Sequence, residues 1–380
     1  MEISIKALRT ISALGLDSET VWRNYLDAKS NIQLHTDWKK PVCAISMEAE
    51  KQISDLLTAN PKYKELDRSV LLAILSARMA YKDANWKESM QIGVNIGSSR
   101  GATTVFETSM ETFLAGKPLS PYCSPTTTLG NISSWVAQDL RTNGPDISHS
   151  ITCSSGLNAV LNGIAWLTAG FCTHFLAGAS EAPLTPFTIA QMEALRIYSK
   201  ATHADFPCQA LQWQKKQNTM VLGEAAGMVA LEPGIAENRL ARITGFGYAT
   251  ETIEHPISLS ANAECLQKTM KMALQQANRS NVDIVVMHAP GTIKGDLAEK
   301  NAVEAVFGEK IPFLTGNKWK IGHTFGTSGI MSLELAVLML LHQKIISVPW
   351  LPSHANFPID SVMVNAVGFG GNAVSIIVER

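Results

Sequence analysis

A single cysteine joins two different patterns in the stretch SHSITCSSGLNAVLNGIAWLTAG, residues 148–170. The residues before Cys153 alternate as in a β-strand, and those from Ser154 onward form an apolar run typical of a buried helix. A cysteine at a helix N-terminus lies near free backbone N–H groups and the positive end of the helix dipole, and both stabilise a thiolate. Most free cysteines are simply buried, so Cys153 needs partners before it can be interpreted as a nucleophile.

Two histidines stand at comparable boundaries later in the chain. His288 follows the buried run VDIVVM and precedes a glycine turn, and His323, within NKWKIGHTFGTSG, precedes a second apolar run. A lone histidine is more often a satisfied polar residue, but two in such places favour a site that moves protons or stabilises charge. We therefore group both histidines with Cys153 as candidate catalytic residues.

A glycine-rich turn near the C-terminus is a further candidate. In NAVGFGGNAVSIIVE, Gly368, Phe369 and Gly370 lie between strand-like runs, and glycines there let the backbone approach a reacting centre. A dinucleotide-binding loop is disfavoured because no helix with a downstream acidic partner follows.

The elements that must position these residues alternate in type. MEISIKALRTIS, IGVNIGSS, GPDISHSITC, HFLAGASEA and GEAAGMVALE are predicted as strands, and residues 46–83 and TTLGNISSWVAQDLRT as helices. Strands mixed with helices predict an α/β protein.

A faint internal repeat predicts that this architecture is duplicated. ISIKALRTIS resembles ARITGFGYAT, and CSSGLNAVLNGIAWL resembles GTSGIMSLELAVLML. Helices that are apolar all round belong in a core, so we expect two α/β halves with buried central helices. Residues 1–235 would carry the cysteine, and residues 236–380 both histidines and the glycine turn.

Two apolar segments, 157–177 and 330–341, raise the question of membrane spans. The first contains Asn158 and His174, and the second is too short and contains Glu334. We expect both to be core helices of the fold.

Composition excludes several function classes. The 380 residues have a net charge of −1 and 46% hydrophobic residues, which argues against a disordered chain and against a nucleic-acid or lipid partner. The six cysteines include no C-x-x-C pair, which favours a reducing compartment. The N-terminal stretch MEISIKALRTISALG lacks the long apolar core of a signal peptide, so we expect a cytoplasmic protein.

From about Gly93 onward, the chain resembles the β-ketoacyl-[acyl carrier protein] synthases, condensing enzymes of the thiolase superfamily that act in fatty acid and type II polyketide synthesis. The resemblance rests on SPYCSPTTTLGNISSWVAQDLRTNGPDISHSITCSSGLNAV, LAGASEAPLTP, VLGEAAGMVALE and GFGG, in the family's order. His288 is followed eight residues later by Asp296 and eleven residues later by Glu299, and Lys318 precedes His323 by five residues, as in the family.

The resemblance implies a thiolase-like fold of five layers, αβαβα, and an acyltransferase mechanism. Cys153 would hold the acyl chain as a thioester, and two neutral histidines would stabilise the enolate formed from a malonyl thioester. Backbone N–H groups of Cys153 and Phe369 would hold the oxyanion, with Phe369 as a gate. Lys318 and Glu299 would form a supporting ion pair, and no metal or redox cofactor is implied.

The resemblance also implies partners. An acyl carrier protein would deliver thioesters on its phosphopantetheine arm; as carriers are acidic, Lys215, Lys216, Lys318 and Lys320 are candidates for a basic docking patch.

Members of the superfamily pair through a central strand, here within residues 145–152, which predicts a homodimer or a heterodimer with a second synthase-like subunit. Met110 and Phe113 would then line the partner's acyl pocket.

Several positions depart from the family pattern. The usual H-G-T-x-T run reads HAPGT, the usual F-G-F-G-G-T-N reads VGFGGNA, and Glu193 stands where arginine is common. We interpret the chain as an active synthase of a divergent branch. The alternatives are a chain-length-controlling subunit, which commonly lacks the cysteine, and another superfamily enzyme. A degradative thiolase would need a second cysteine near the glycine turn, and a priming synthase more often has asparagine in place of His323.

Overall fold

The structure is a computed structural model that describes residues 2–87, 90–127, 129, 131–202, 204–252, 259–351 and 357–380. Its first half contains β1 (Ile3–Ile11), α1 (Ser18–Leu26), β2 (Gln33–Leu34), β3 (Pro41–Cys43), α2 (Met47–Ala59), α3 (Arg68–Ala84), β4 (Ile92–Gly97), α4 (Thr103–Leu114), α5 (Cys123–Thr127), α6 (Asn131–Leu140), β5 (Asp146–His149), α7 (Ser155–Thr168), β6 (His174–Glu181), α8 (Pro186–Ala194), β7 (Leu222–Gly223) and β8 (Ala225–Pro233).

The second half repeats the alternation. It contains β9 (Ala241–Thr250), α9 (Glu264–Gln276), β10 (Ile284–Val286), α10 (Ile293–Phe307), β11 (Phe313–Thr315), α11 (Lys318–Ile321), α12 (Ser328–His342), β12 (Ser361–Gly368) and β13 (Asn372–Glu379).

One continuous sheet of ten strands joins the two halves, in the order β11-β10-β12-β13-β9-β1-β8-β6-β4-β5. Numbered within its own half, each set of five strands runs 1-5-4-2-3 outward from the centre, and the two first strands, β1 and β9, pair antiparallel. These are the strands whose sequences resemble each other, so the predicted duplication is confirmed as an α/β architecture.

The central helices α7 and α12 pack against each other, and each contacts strands of both halves. Gly156 makes the contact possible, because a Cβ atom there would lie 2.8 Å from the carbonyl oxygen of Gly326. The segment Phe325–His342 is long and apolar enough to cross a membrane, but 89% of it is buried inside the fold. This agrees with the predicted core helix.

Three predicted elements differ in extent. The helical stretch 46–83 is two helices, because Pro61 follows α2 and Asp67 caps a new helix by accepting a hydrogen bond from the Ser69 N–H. The apolar segment 157–177 is likewise divided between α7 and β6. The strand before Cys153 ends at His149.

Candidate active site

Cys153 lies in the turn between β5 and α7, directly before the helix cap Ser154. Thr152 has a left-handed φ of 45°. The turn is held by Ser155, whose hydroxyl accepts from the Ile151 N–H at 2.9 Å and donates to the Thr152 carbonyl at 2.6 Å. The predicted position of Cys153 beside a helix N-terminus is therefore confirmed, and its side chain is buried.

His323 lies at the matching place in the second half, after Gly322 and before α12. Its Nε2 is 3.3 Å from the Cys153 Sγ, and its Nδ1 is 2.8 Å from the Ser328 hydroxyl. The duplicated fold thus brings together two residues that are 170 positions apart in sequence.

His288 follows β10 and completes the group. Its ring is nearly perpendicular to that of His323, at 84°, with centroids 5.2 Å apart. The Glu299 carboxylate accepts from the backbone N–H groups of His288 at 2.9 Å and Ala289 at 2.7 Å. Among the described residues, the buried His288 Nδ1 has no hydrogen-bond partner. Its polar ring atom is therefore available to a ligand.

The electrostatics of this group differ from the prediction. Burial raises the pKa of the Cys153 thiol to about 12, and the nearby Glu181 adds to the rise while Lys318 opposes it. The resting site therefore favours the thiol and not the stabilised thiolate that was expected, because burial disfavours the charged form. Burial, assisted by the charge of Lys318, also holds the pKa of His288 and His323 well below 6.5, so both imidazoles are neutral.

The sulfur and imidazole nitrogens of these three residues lie within 4.8 Å of one another, close enough to hold a metal ion. Neutral imidazoles are suitable ligands, but the same atoms are also suitably placed for acyl chemistry. The adjacent Lys318 ammonium would oppose a divalent cation.

Two buried acids support the His288 loop. Asp296 accepts from the Gly291 N–H at 2.9 Å and forms a buried ion pair of 2.7 Å with Lys215. Glu299 has a different role from the one expected, because it holds the loop backbone and accepts from the Asn365 amide at 3.2 Å.

The predicted ion pair between Lys318 and Glu299 is not formed. Among the described residues the buried Lys318 Nζ has no hydrogen-bond partner, and burial lowers the pKa of Lys318 to about 8. Lys318 therefore acts on the site by its field and not by a contact.

The glycine turn connects β12 to β13 and closes over Cys153. A Cβ on Gly368 would lie 1.9 Å from the Thr152 hydroxyl and 3.1 Å from the Cys153 nitrogen. The Thr152 hydroxyl donates to the Phe369 carbonyl at 3.2 Å, and Gly370 has a φ of 91°. The turn therefore lies against the nucleophile's own loop, where only glycine fits.

A cavity of about 590 Å³ leads to these groups. It is lined by Cys153, Leu195, Ile197, Asn218, Met220, Leu259, His288, Pro290, Thr292, Ile293, Lys294, Gly295, Glu299, His323, Phe325, Val367, Gly368, Phe369 and Gly370. The cavity lining is mostly apolar, with Cys153 and both histidines among its few polar groups, as expected for a ligand site in which a few polar groups fix the orientation of the ligand.

Sequence reasoning missed the apolar cluster that packs around Cys153. Its buried members are Val42, Ile189, Met192, Tyr198, Met220, Leu222 and Phe325. They come from separate elements and follow no common spacing, so no sequence pattern could have assembled them. Ser328 was missed as well, although its position five residues after His323, at the start of the apolar run, was a usable signal.

Most of the lysines predicted for a docking patch are in the wrong place. Lys215, Lys318 and Lys320 are buried, and only Lys216 is exposed. The Lys320 Nζ donates to backbone carbonyls of Asp27 and Lys29 (the latter at 2.6 Å), which explains its burial.

Met110 and Phe113 lie on exposed faces of α4. Among the described residues neither lines this chain's own cavity.

A duplicated α/β fold with a cysteine and two histidines at the ends of its central elements is a thiolase-like fold. Residues 1–235 match the family model of the β-ketoacyl synthase N-terminal domain, and residues 240–350 match that of the C-terminal domain. The chain belongs to the β-ketoacyl synthase family, whose members are condensing acyltransferases.

Individual relatives are distant. The 3-oxoacyl-[acyl-carrier-protein] synthase 2 of Staphylococcus aureus (strain MRSA252) is 26% identical over 411 residues, covering 100% of this chain and 98% of the relative. The solved ishigamide ketosynthase/chain length factor has a TM-score of 0.86 at 20% identity, covering 100% of this chain and 99% of that one. A type II polyketide ketosynthase solved with its acyl carrier protein and a bound hexaketide also has a TM-score of 0.86, at 19% identity and the same coverage.

Proposed function

We propose that this protein condenses a Cys153-bound acyl chain with a malonyl group carried by an acyl carrier protein, releasing CO₂ and a β-ketoacyl thioester. The observation that carries the proposal is the 3.3 Å approach of His323 Nε2 to the Cys153 Sγ at a cavity also lined by His288. A chain-length-controlling subunit would not need this group of residues, so an active synthase is favoured.

Acyl loading begins with a thiol, because the Cys153 pKa is raised. Its proton passes to the neutral His323 Nε2 as the sulfur attacks the acyl thioester. The carrier's sulfur leaves and takes this proton, so that loading releases no net proton. The apolar cluster around Cys153 would receive the acyl chain, because methylene groups gain free energy when they leave water.

Condensation uses the same site differently. The malonyl group loses CO₂, and N–H groups of His288 and His323 stabilise the enolate oxygen that forms. The enolate carbon attacks the acyl thioester, and backbone N–H groups of Cys153 and Phe369 hold the tetrahedral oxyanion. One such donor typically contributes about 3 kcal/mol to the barrier reduction. Gly368, which lies against the Cys153 nitrogen, leaves the space for that oxygen. The oxyanion then collapses, the bond between the acyl carbon and the Cys153 sulfur breaks, and the released thiolate takes a proton from water.

Intact-mass analysis and product analysis test these assignments. Cys153→Ala should gain no acyl mass from an acyl carrier thioester, whereas Cys123→Ala, the matched control at a half-buried cysteine, should load like the wild type. His288→Ala and His323→Ala should load measurably but should neither condense nor decarboxylate malonyl thioester. Acylation that survives in Cys153→Ala, or normal condensation in both histidine variants, rejects the mechanism.

The carrier protein should dock at the mouth of the cavity. Lys294 lines the cavity and is exposed, and the exposed Arg196 lies in sequence between the lining residues Leu195 and Ile197. Both side chains are suited to an acidic carrier, while Glu193 is neutralised by an ion pair with Lys40.

Arg196→Glu and Lys294→Glu should slow loading from a carrier-bound donor but not from the same acyl group on a small thiol. Lys271→Glu, an exposed lysine of α9, is the control. If all three variants load alike from the carrier, docking at the mouth is wrong.

The protein should pair through the open edge of its sheet. β5 is the last strand, its residues are partly exposed, and α4 presents the exposed apolar side chains of Phe106, Met110 and Phe113. Within the part of the chain that the structure describes, an edge strand beside such side chains favours a partner strand. We propose a homodimer or a heterodimer with a second synthase-like subunit, with Met110 and Phe113 reaching the partner's acyl pocket.

Light scattering on the purified chain, alone and co-expressed with candidate subunits, tests this. Phe113→Asp should weaken the dimer, whereas Met47→Asp, at an exposed methionine on α2, should not. A fully active monomer would reject the interface.

We further propose that residues 1–235 and 236–380 form the two halves, as the boundaries of the family matches support. We also propose that the enzyme works in the cytoplasm, in fatty acid or specialised polyketide or polyene synthesis. Fractionation of cells and analysis of the products from different primers would test location and pathway.

A further inference from the structure

His323 is held between two hydrogen-bonding groups, one on each ring nitrogen. Its Nε2 lies 3.3 Å from the Cys153 Sγ, and its Nδ1 lies 2.8 Å from the Ser328 Oγ. Ser328 is the first residue of α12 and is buried. The Thr324 hydroxyl is also near, at 3.4 Å from the Ser328 Oγ. Both ring nitrogens therefore have partners that can exchange or orient a proton.

The two half-reactions place opposite demands on Nε2. During loading, Nε2 must carry a lone pair to accept the thiol proton, so the single proton of the neutral imidazole must be on Nδ1. During condensation, Nε2 must carry the proton so that its N–H can donate a hydrogen bond to the enolate oxygen, so Nδ1 must carry the lone pair. Because burial and Lys318 disfavour the charged ring, a resting imidazolium cannot serve both needs.

A hydroxyl can serve both tautomers, because it donates one hydrogen bond and accepts two. A carbonyl at this place would hold the proton on Nδ1, and a backbone N–H would hold it on Nε2. Building on the proposed function, we propose that Ser328 is a positioning residue whose hydroxyl accepts from the His323 Nδ1–H during loading and donates to Nδ1 during condensation. The tautomers exchange when the ring gives one proton to water and takes one from water at its other nitrogen, with no net change.

His288 provides a contrast within the same site. Among the described residues its Nδ1 has no hydrogen-bond partner, whereas the His323 Nδ1 faces the Ser328 hydroxyl. Only His323 has both the nucleophile on one nitrogen and a reversible partner on the other. The exchange between two tautomers is therefore assigned to His323 and not to His288.

A matched pair of variants isolates the hydroxyl. Ser328→Thr keeps it, and Ser328→Val has nearly the same shape as threonine but lacks it, so any crowding by the added methyl group is common to both. We expect Ser328→Val to condense about 10- to 100-fold more slowly than Ser328→Thr, a smaller factor than the roughly 100- to 1,000-fold loss on removal of a direct oxyanion donor, because Ser328 acts through His323. Loading should slow as well, by a smaller factor, since the thiol proton can still reach Nε2.

Single-turnover loading is followed by intact mass, and condensation by the β-ketoacyl product; Thr324→Val controls for the second hydroxyl. Equal midpoints of thermal unfolding for Ser328→Thr and Ser328→Val would show that the two variants are equally stable. Equal condensation by Ser328→Thr and Ser328→Val, with a working wild type, overturns the inference alone. A wild type that neither loads nor condenses overturns the proposed function and this inference with it.

Discussion

A buried glutamic acid on the central helix should make the protein less stable as pH rises. Glu334 accepts a hydrogen bond of 2.5 Å from the Thr10 hydroxyl through Oε1, while its buried Oε2 has no partner among the described residues. Burial raises the pKa of Glu334 from 4.5 to about 7, although the Thr10 bond and the charge of Arg9 oppose the rise. The native protein thus holds this proton where the unfolded chain releases it.

The sign and size follow from proton linkage. Between pH 4.5 and about 7 the native state binds more protons than the unfolded state, so the free energy of unfolding falls as pH rises through this range. The full loss is on the order of 3 kcal/mol, since each tenfold difference in proton affinity is worth about 1.4 kcal/mol. Below pH 4.5 the stabilisation is complete, and above about pH 7 it is lost.

Glu334→Gln removes the titration and keeps an acceptor for Thr10. Urea unfolding followed by tryptophan fluorescence, at one protein concentration, would give the stability of both proteins at about pH 5 and pH 8. We expect the wild type to lose on the order of 2 to 3 kcal/mol more than the variant across this interval. Any constant offset caused by the amide cancels in this double difference. The exposed Glu309→Gln is the control, and an identical pH dependence of Glu334→Gln and the wild type would refute a buried neutral carboxyl.

The remaining predictions concern the site. Ala289 has a left-handed φ of 27°, so Ala289→Gly should keep condensation activity and change the free energy of unfolding by no more than about 1 kcal/mol. A larger loss of stability in urea unfolding would contradict this. Gly156→Ala should cost about 1 to 3 kcal/mol of stability and slow acyl loading, because its Cβ would meet the Gly326 carbonyl and separate the loops that carry Cys153 and His323. Unchanged acyl loading, measured by intact mass, would count against this. Alkylation of Cys153 by iodoacetamide should accelerate about tenfold per pH unit from pH 7 to pH 9 in peptide-mass measurements, because the thiol pKa is about 12, and a plateau below pH 8 would contradict it.

Much of the fold could be predicted because its signals are local. The alternating run of β9 indicates a strand within a few residues, and the apolar run of α12 indicates a buried helix. The structure contains both elements where the repeat predicted them. The bounds of an element are harder to predict where one helix-breaking or capping residue sets them. Pro61 and the Asp67 cap divide one predicted helix into two, although both residues are visible in the sequence.

The candidate site was predictable in its members but not in their interactions. Cys153, His288 and His323 each stand beside a glycine or serine turn, and family spacing identified Asp296 and Glu299. Nothing in that spacing shows that Glu299 holds loop backbone instead of pairing with a lysine.

The sequence by itself determined the order of strands and helices, the duplicated pattern, and which residue types could carry the chemistry, because these depend on neighbours along the chain. Only the tertiary structure decided the protonation state of Cys153, the isolation of Lys318 and the bond between His323 and Ser328. The pKa of a buried group depends on the water removed and on charges from distant segments, and the sequence does not contain those distances. The helix N-terminus beside Cys153 is a local feature, whereas the burial that raises the pKa of its thiol is produced by packing of distant segments.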